Sequence, residues 1–219
     1  MLKAILFDLD GTLINSFPMY TRAYDLTLQT YGLKLTDPEV YKLCYGRTEE
    51  EICTDLKMPE KVEEFRKTYF SNVDRLCVDV ELYPNAKQVL EYLKNSGLKL
   101  GIVTQAHGWY LTKMTDSLGI KSYFQSFSSF TDVKNPKPHP EAVFNFCKKL
   151  DISVEEVWMI GDSRYDIKMG QNSKCKTVLL LHLENEKIAD FNELKKTNPD
   201  FVVYGFTELK ELITKFQKS

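Results

Sequence analysis

Four short apolar runs, each cut off by a polar residue or a glycine, constrain this chain more than any other feature. Ala4-Ile5-Leu6-Phe7 stops at Asp8, and Leu100-Gly101-Ile102-Val103 stops at Thr104. Val157-Trp158-Met159-Ile160 stops at Gly161-Asp162, and the run from Val178 to Leu181 stops at His182. Apolar runs of this length without alternation read as strands covered on both faces, as in a parallel sheet. Helical stretches lie between them. Pro84 opens a helix through Leu93 that Gly97 closes, and Ser153-Val-Glu-Glu156 reads as a capping box just ahead of a strand. From residue 84 onward the alternation predicts a doubly wound α/β sheet.

Residues 15–82 break that rhythm. Tyr20, Ala23, Tyr24, Thr27 and Tyr31 fall at helical spacing, as do Val62, Phe65, Tyr69 and Val73, with no strand-like run between them. The expectation is an α/β core made of 1–14 and 83–219, interrupted by an all-helical cap over 15–82. That block carries nine basic and thirteen acidic residues, so a slightly acidic helical lid over a slightly basic core is expected. Its aromatic stripes read as packing rather than as a ligand platform.

Composition narrows the function classes. The chain has 219 residues, 43% hydrophobic and 27% charged, which excludes a disordered or collagen-like polymer. A net charge of -2 gives no general electrostatic case for nucleic acid or an anionic membrane. The apolar runs are far too short to span a bilayer. An opening Met1-Leu2-Lys3 followed by aspartates at 8 and 10 does not suit a signal peptide. Cys44, Cys53, Cys77, Cys147 and Cys175 are odd in number and form no CxxC pair, so reduced, buried thiols in a cytoplasmic protein are expected, with a monomer as the default.

In open α/β sheets ligands bind at the carboxyl ends of strands, near the switch in strand order. Asp8 and Asp10, Thr104 and Asp162 stand at such ends, and Lys137 lies in the loop Asn135-Pro136-Lys137-Pro138-His139-Pro140. Singly, each is an ordinary turn or cap residue. Together they concentrate carboxylates that repel one another unless a hard divalent cation is present, and Mg²⁺ suits an oxygen site with open water positions best. Gly11, just after the two acids, serves a turn that needs a positive φ.

These residues carry a resemblance. Phe7-Asp8-Leu9-Asp10-Gly11-Thr12-Leu13 resembles the first motif of the haloacid dehalogenase superfamily. Ile102-Val103-Thr104 is similar to its second motif, Lys137 with its flanking prolines to its third, and Gly161-Asp162-Ser163-Arg164-Tyr165-Asp166 to its fourth. The helical insertion after the first motif resembles the cap of the phosphoglycolate phosphatase and β-phosphoglucomutase branch. The resemblance implies a Mg²⁺-dependent phosphatase acting on a small soluble phosphorylated metabolite. Asp8 would be the nucleophile and Asp10 the general acid and base. Asp8, the backbone carbonyl of Asp10 and Asp162 would hold the cation, with Asp166 acting from behind them or through a water. Thr104 and Lys137 would bind the phosphoryl group, with backbone N–H groups completing its cradle.

The same resemblance sorts the alternatives. Asp10 argues against dehalogenation, which needs neither a leaving-group acid nor a metal. Mutases of the branch usually carry a histidine where this chain has Tyr20, and no histidine precedes His107, so mutase chemistry stays an alternative reading. A catalytically idle binding or regulatory protein is a second, against which the intact acids, threonine and lysine speak. Gln105 stands where relatives often carry asparagine, in the phosphate-binding loop. Arg47, just before the helix start Thr48-Glu49-Glu50-Glu51, is the cap candidate for a distal anion on the substrate, against a plain surface ion pair.

Overall fold

The computed structural model describes residues 1–45 and 47–217. They divide into two compact units, one made of Met1–Asn15 with the chain from Glu81 onward, the other of Ser16–Val80.

The first unit is built on strands β1 (Ala4–Phe7), β2 (Lys99–Val103), β3 (Ser126–Ser128), β4 (Val157–Gly161), β5 (Lys176–Leu181) and β6 (Phe201–Tyr204). They form one sheet in the order β3-β2-β1-β4-β5-β6, with every neighbouring pair parallel. After β1 the chain builds outward through β2 and β3, then returns to build through β4, β5 and β6. The strand order therefore reverses at β1 and β4, where the carboxyl ends leave a crevice. The four apolar runs form β1, β2, β4 and β5, and these central strands are buried almost without interruption. Of the two edge strands, β3 (Ser-Phe-Ser) has no such run, whereas β6 is an apolar Phe-Val-Val-Tyr run that the reading above passes over. β3 is three residues long and only half-buried, and β6 buries Val203 alone. An edge strand needs less apolar cover, so β3 carries a weak signal, and the apolar run of β6 stays largely uncovered.

The second unit holds helices α1 (Phe17–Gln29), α2 (Asp37–Cys44), α3 (Glu49–Asp55) and α4 (Val62–Leu76). The two aromatic stripes face each other across α1 and α4. Tyr24 stacks on Tyr69 at 4.2 Å between centroids, Tyr31 stacks on Phe65 at 5.9 Å, and Asn72 Nδ2 donates to Thr27 Oγ1 at 3.0 Å. They are packing residues, as their spacing suggests. α3 begins where expected, with Thr48 and Glu51 forming a reciprocal cap.

Back in the first unit, helices α5 (Ala86–Asn95), α6 (Gly108–Ser117), α7 (Glu141–Leu150), α8 (Arg164–Ser173), α9 (Phe191–Lys195) and α10 (Gly205–Gln217) complete the alternation. α5 starts two residues later than Pro84, because Asn85 sits at φ 66° and cannot continue a helix backward. Gly97 closes it at φ 83°. Ser153 to Glu156 caps only one 3₁₀ turn before β4, since the chain must enter the sheet at Val157.

Candidate functional site

β1 delivers Asp8 to the crevice. Its N–H bonds the Ile160 carbonyl at 2.9 Å, so the first carboxylate is tied by backbone to the end of β4. The chain then turns sharply. Gly11 adopts φ 78° and donates to the Ile14 carbonyl at 3.0 Å, while Leu13 and Ile14 both donate back to the Leu9 carbonyl. A residue with a Cβ would be strained at that φ.

β4 delivers Asp162, and the first turn of α8 delivers Asp166. Carboxylate oxygens of Asp8, Asp162 and Asp166 all lie within 4.8 Å of one another. Lys137 joins the group from the proline-flanked loop. Its Nζ donates to Asp8 Oδ1 at 2.6 Å and to Asp166 Oδ1 at 2.6 Å, with the lysine side chain 3% exposed. Asp166 uses its other oxygen at home, where Oδ2 accepts from Ser163 Oγ at 2.6 Å and from Ser163 N–H at 3.1 Å. It caps its own helix and holds the lysine at once.

The charge balance at this point is three carboxylates to one ammonium. Burial pushes the Asp8 carboxyl up to about 7, against the pull of the Lys137 charge and with the Asp166 charge adding to the rise. Burial, then the charges of Asp8 and Asp166, push Asp162 well above the usual carboxylate range. Lys137 is raised despite burial, because Asp166 and Asp8 both face it. Oxygen donors converging with too little positive charge are what a hard divalent cation satisfies, so the residues present fit Mg²⁺.

Asp162 is held in its turn. Thr12 Oγ1 donates to Asp162 Oδ1 at 2.7 Å, and the Thr12 carbonyl accepts from His182 Nε2 at 3.0 Å. Burial lowers the His182 pKa, which keeps the ring neutral, and the carbonyl places its hydrogen on Nε2. The ring stacks on Tyr83 at 3.4 Å, and Asn185 Nδ2 donates to the Tyr83 hydroxyl at 2.8 Å.

The Lys137 loop is also clamped. The Glu141 carboxylate, at the start of α7, accepts from the N–H groups of Lys134 and Asn135 at 2.9 and 3.0 Å. Those bonds hold its pKa below the usual range. Asn172 Nδ2 donates to the Pro138 carbonyl at 2.9 Å, and the exposed Gln105 reaches the Lys137 carbonyl at 3.4 Å.

Asp10 Oδ1 accepts from the Tyr110 hydroxyl at 3.0 Å. Thr104 is buried, and its Oγ1 accepts from Ala106 N–H at 3.0 Å, a contact that does not use the hydroxyl's own hydrogen. Arg47 belongs to the helical unit, where it pairs with Asp55 at 2.8 Å and donates to the carbonyls of Leu43 and Glu51. That is the ion-pair reading, made with an aspartate one helix turn on. Sequence reasoning missed Tyr110, Glu141, His182 and the hydroxyl of Thr12. Two of them carried a signal: Thr12 lies inside the first motif, and His182 ends the fourth apolar run.

An acidic crevice at the switch point of a parallel sheet, shared with one buried lysine, stands where open α/β sheets bind their ligands. Residues 5–180 match the family described as haloacid dehalogenase-like hydrolase, and the chain belongs to that family. Within it the chain is of the phosphatase kind. A Clostridium perfringens protein provisionally named pyrophosphatase PpaX is 32% identical over 98% of this chain and 99% of its own length. The phosphoglycolate phosphatase of Haemophilus influenzae is 28% identical over 96% of this chain and 98% of its own. A crystal structure described as a predicted phosphoglycolate phosphatase from Haemophilus somnus superposes with a TM-score of 0.85, at 23% identity, over 97% of this chain and 98% of that one. Among the described residues no helix is long and apolar enough to cross a membrane.

Proposed function

We propose that the protein is a Mg²⁺-dependent phosphatase that hydrolyses a small soluble phosphorylated compound through an aspartyl-phosphate on Asp8. The observation that carries this reading is the doubly bonded Lys137 Nζ, which orients the Asp8 carboxyl beside two more buried acids. Asp8, Asp162 and the backbone carbonyl of Asp10 would hold the cation. Mg²⁺, when bound, supplies the positive charge that lets a dianionic phosphoryl group approach a carboxylate.

The chain's own residues carry the rest. An Asp8 oxygen attacks phosphorus, and the bond from phosphorus to the leaving oxygen breaks. The Asp10 carboxylic acid gives its proton to that oxygen, so an alcohol leaves rather than an alkoxide. Asp10, now a carboxylate, takes a proton from a water that attacks the phosphoryl-aspartate, which releases phosphate and restores Asp8. Lys137 and the Thr104 hydroxyl bear the phosphoryl charge, with Gly11 and Gln105 shaping the loops around it. Asp166 serves from behind, since both of its oxygens are engaged by Lys137 and Ser163. Arg47 is not carried into this reading, because its guanidinium is already paired with Asp55.

The names of the relatives point to two small substrates, pyrophosphate and phosphoglycolate. The test is phosphate release from a panel of phosphorylated metabolites including both, with Mg²⁺ and with EDTA. Wild type should turn over at least one member only with Mg²⁺, and Asp8→Asn should turn over none. An Asp8→Asn variant as active as wild type would remove the nucleophile assignment.

A further inference from the structure

Tyr110 stands in the first turn of α6, and its hydroxyl donates to Asp10 Oδ1 at 3.0 Å. The tyrosine is 2% exposed, so its ring is set by packing. Its backbone is set as well. The N–H groups of Tyr110 and Leu111 both bond the His107 carbonyl, at 3.0 and 3.1 Å. The turn packs against the loop after β3, where a Cβ on Gly108 would make ordinary contacts of 3.4 Å with the hydroxyl oxygens of Ser129 and Thr131. The phenol therefore reaches Asp10 from a rigid helix start and not from a mobile loop.

A phenol O–H has one hydrogen to donate. A carboxylic acid that accepts on one oxygen places its own proton on the other. Resting on the acid–base role proposed above for Asp10, we propose that Tyr110 is a positioning residue that assigns the two oxygens of that acid. Oδ1 is taken by the phenol, and Oδ2 carries the proton that goes to the leaving oxygen. As the Oδ2–H bond breaks and the leaving oxygen gains the proton, Asp10 becomes a carboxylate and the bond from Tyr110 becomes charge-assisted. Such bonds are stronger than neutral ones, so the contact tightens as the proton is lost and favours the transition state over the ground state.

The effect belongs to proton delivery, so it depends on the leaving group. p-Nitrophenolate departs with little help, whereas phenolate needs its proton. The experiment measures kcat/KM for p-nitrophenyl phosphate and phenyl phosphate with Mg²⁺ present, on wild type, Tyr110→Phe and Asp10→Asn. Tyr110→Phe should raise the preference for p-nitrophenyl phosphate about tenfold, a part of the hundredfold or more that a general acid contributes, with a melting temperature close to wild type. Equal loss on both substrates, or no change, would overturn the inference. An unchanged preference in Asp10→Asn would instead overturn the acid–base role on which it rests. Should Tyr110→Phe not fold, 3-fluorotyrosine at position 110 keeps the ring and strengthens the donor. That substitution must shift the preference toward phenyl phosphate, and an unshifted value would count against Tyr110.

Discussion

The Cβ that Gly161 lacks would stand 2.2 Å from the Cγ of Asp166 and 2.5 Å from its Oδ2. The carboxylate that holds Lys137 occupies the space a side chain would take at the end of β4. Asp166 is fully buried and bonded through both oxygens, so it cannot swing aside cheaply. Gly161→Ala should therefore displace Asp166 and release Lys137. The expected result is a loss of about 1–3 kcal/mol in urea unfolding, the usual cost of overpacking, with phosphate release falling at least as far as for Lys137→Ala. A variant of wild-type stability and rate would show that Asp166 has room to move.

The excess of carboxylates should make stability depend on the cation. Mg²⁺ at about a hundredfold over its dissociation constant should stabilise the fold by ~2.7 kcal/mol, which for a chain of this size raises the melting temperature by several degrees. Asp162→Asn should lose that increment. Without Mg²⁺ it should melt no lower than wild type, since it removes one of three mutually repelling acids. Thermal melts with Mg²⁺ and with EDTA decide the matter, and an equal Mg²⁺ shift in both proteins would exclude Asp162 as a ligand.

Glu141 touches none of the clustered acids, yet it ties down the loop that carries Lys137. Glu141→Ala frees the N–H groups of Lys134 and Asn135, and the lysine loses its fixed approach. Misplacement of a positioned group costs on the order of ten- to a hundredfold in rate, so kcat should fall in that range while the melting temperature changes little. Steady-state kinetics on any substrate found by the panel would test this, and an unchanged kcat would assign the loop's order to Asn172 and Gln105.

His182 sets a pH dependence of stability. Burial lowers its pKa in the folded protein from the ordinary 6.5. Below that value the unfolded chain binds a proton that the folded chain refuses, so the unfolded state gains. The contribution is complete above pH 6.5 and is lost as pH falls toward the folded-state value. Urea midpoints should drop between pH 7.5 and 5.5 more steeply in wild type than in His182→Gln. Parallel slopes would mean that the ring gains its proton without cost.

Much of the site was legible in the chain because its acids terminate apolar runs. Asp8, Asp10 and Asp162 each follow a buried strand, and a strand end in a parallel sheet is a place that periodicity can mark. Lys137 was legible for a different reason, its setting among prolines. Tyr110 and Glu141 left no such mark, and His182, though it ends an apolar run, is not an acid and drew no attention. A tyrosine in the first turn of a helix, a glutamate at a helix start and a histidine after a strand are ordinary residues in ordinary places. Their roles depend on partners 100, 7 and 170 residues away, at Asp10, Lys134 and Thr12.

Local order thus settled most of which segments become strands and helices, because apolar runs, helical spacing, caps and glycines act over a few residues. It also placed each acid at the end of its element. Tertiary structure alone decided that strands far apart in the chain lie side by side, that β3 and β6 join as the edges, and that one ammonium is shared by two carboxylates. Hydrogen bonds and charge pairs act over a few ångströms. Which groups come within that reach is decided by how the sheet closes its order.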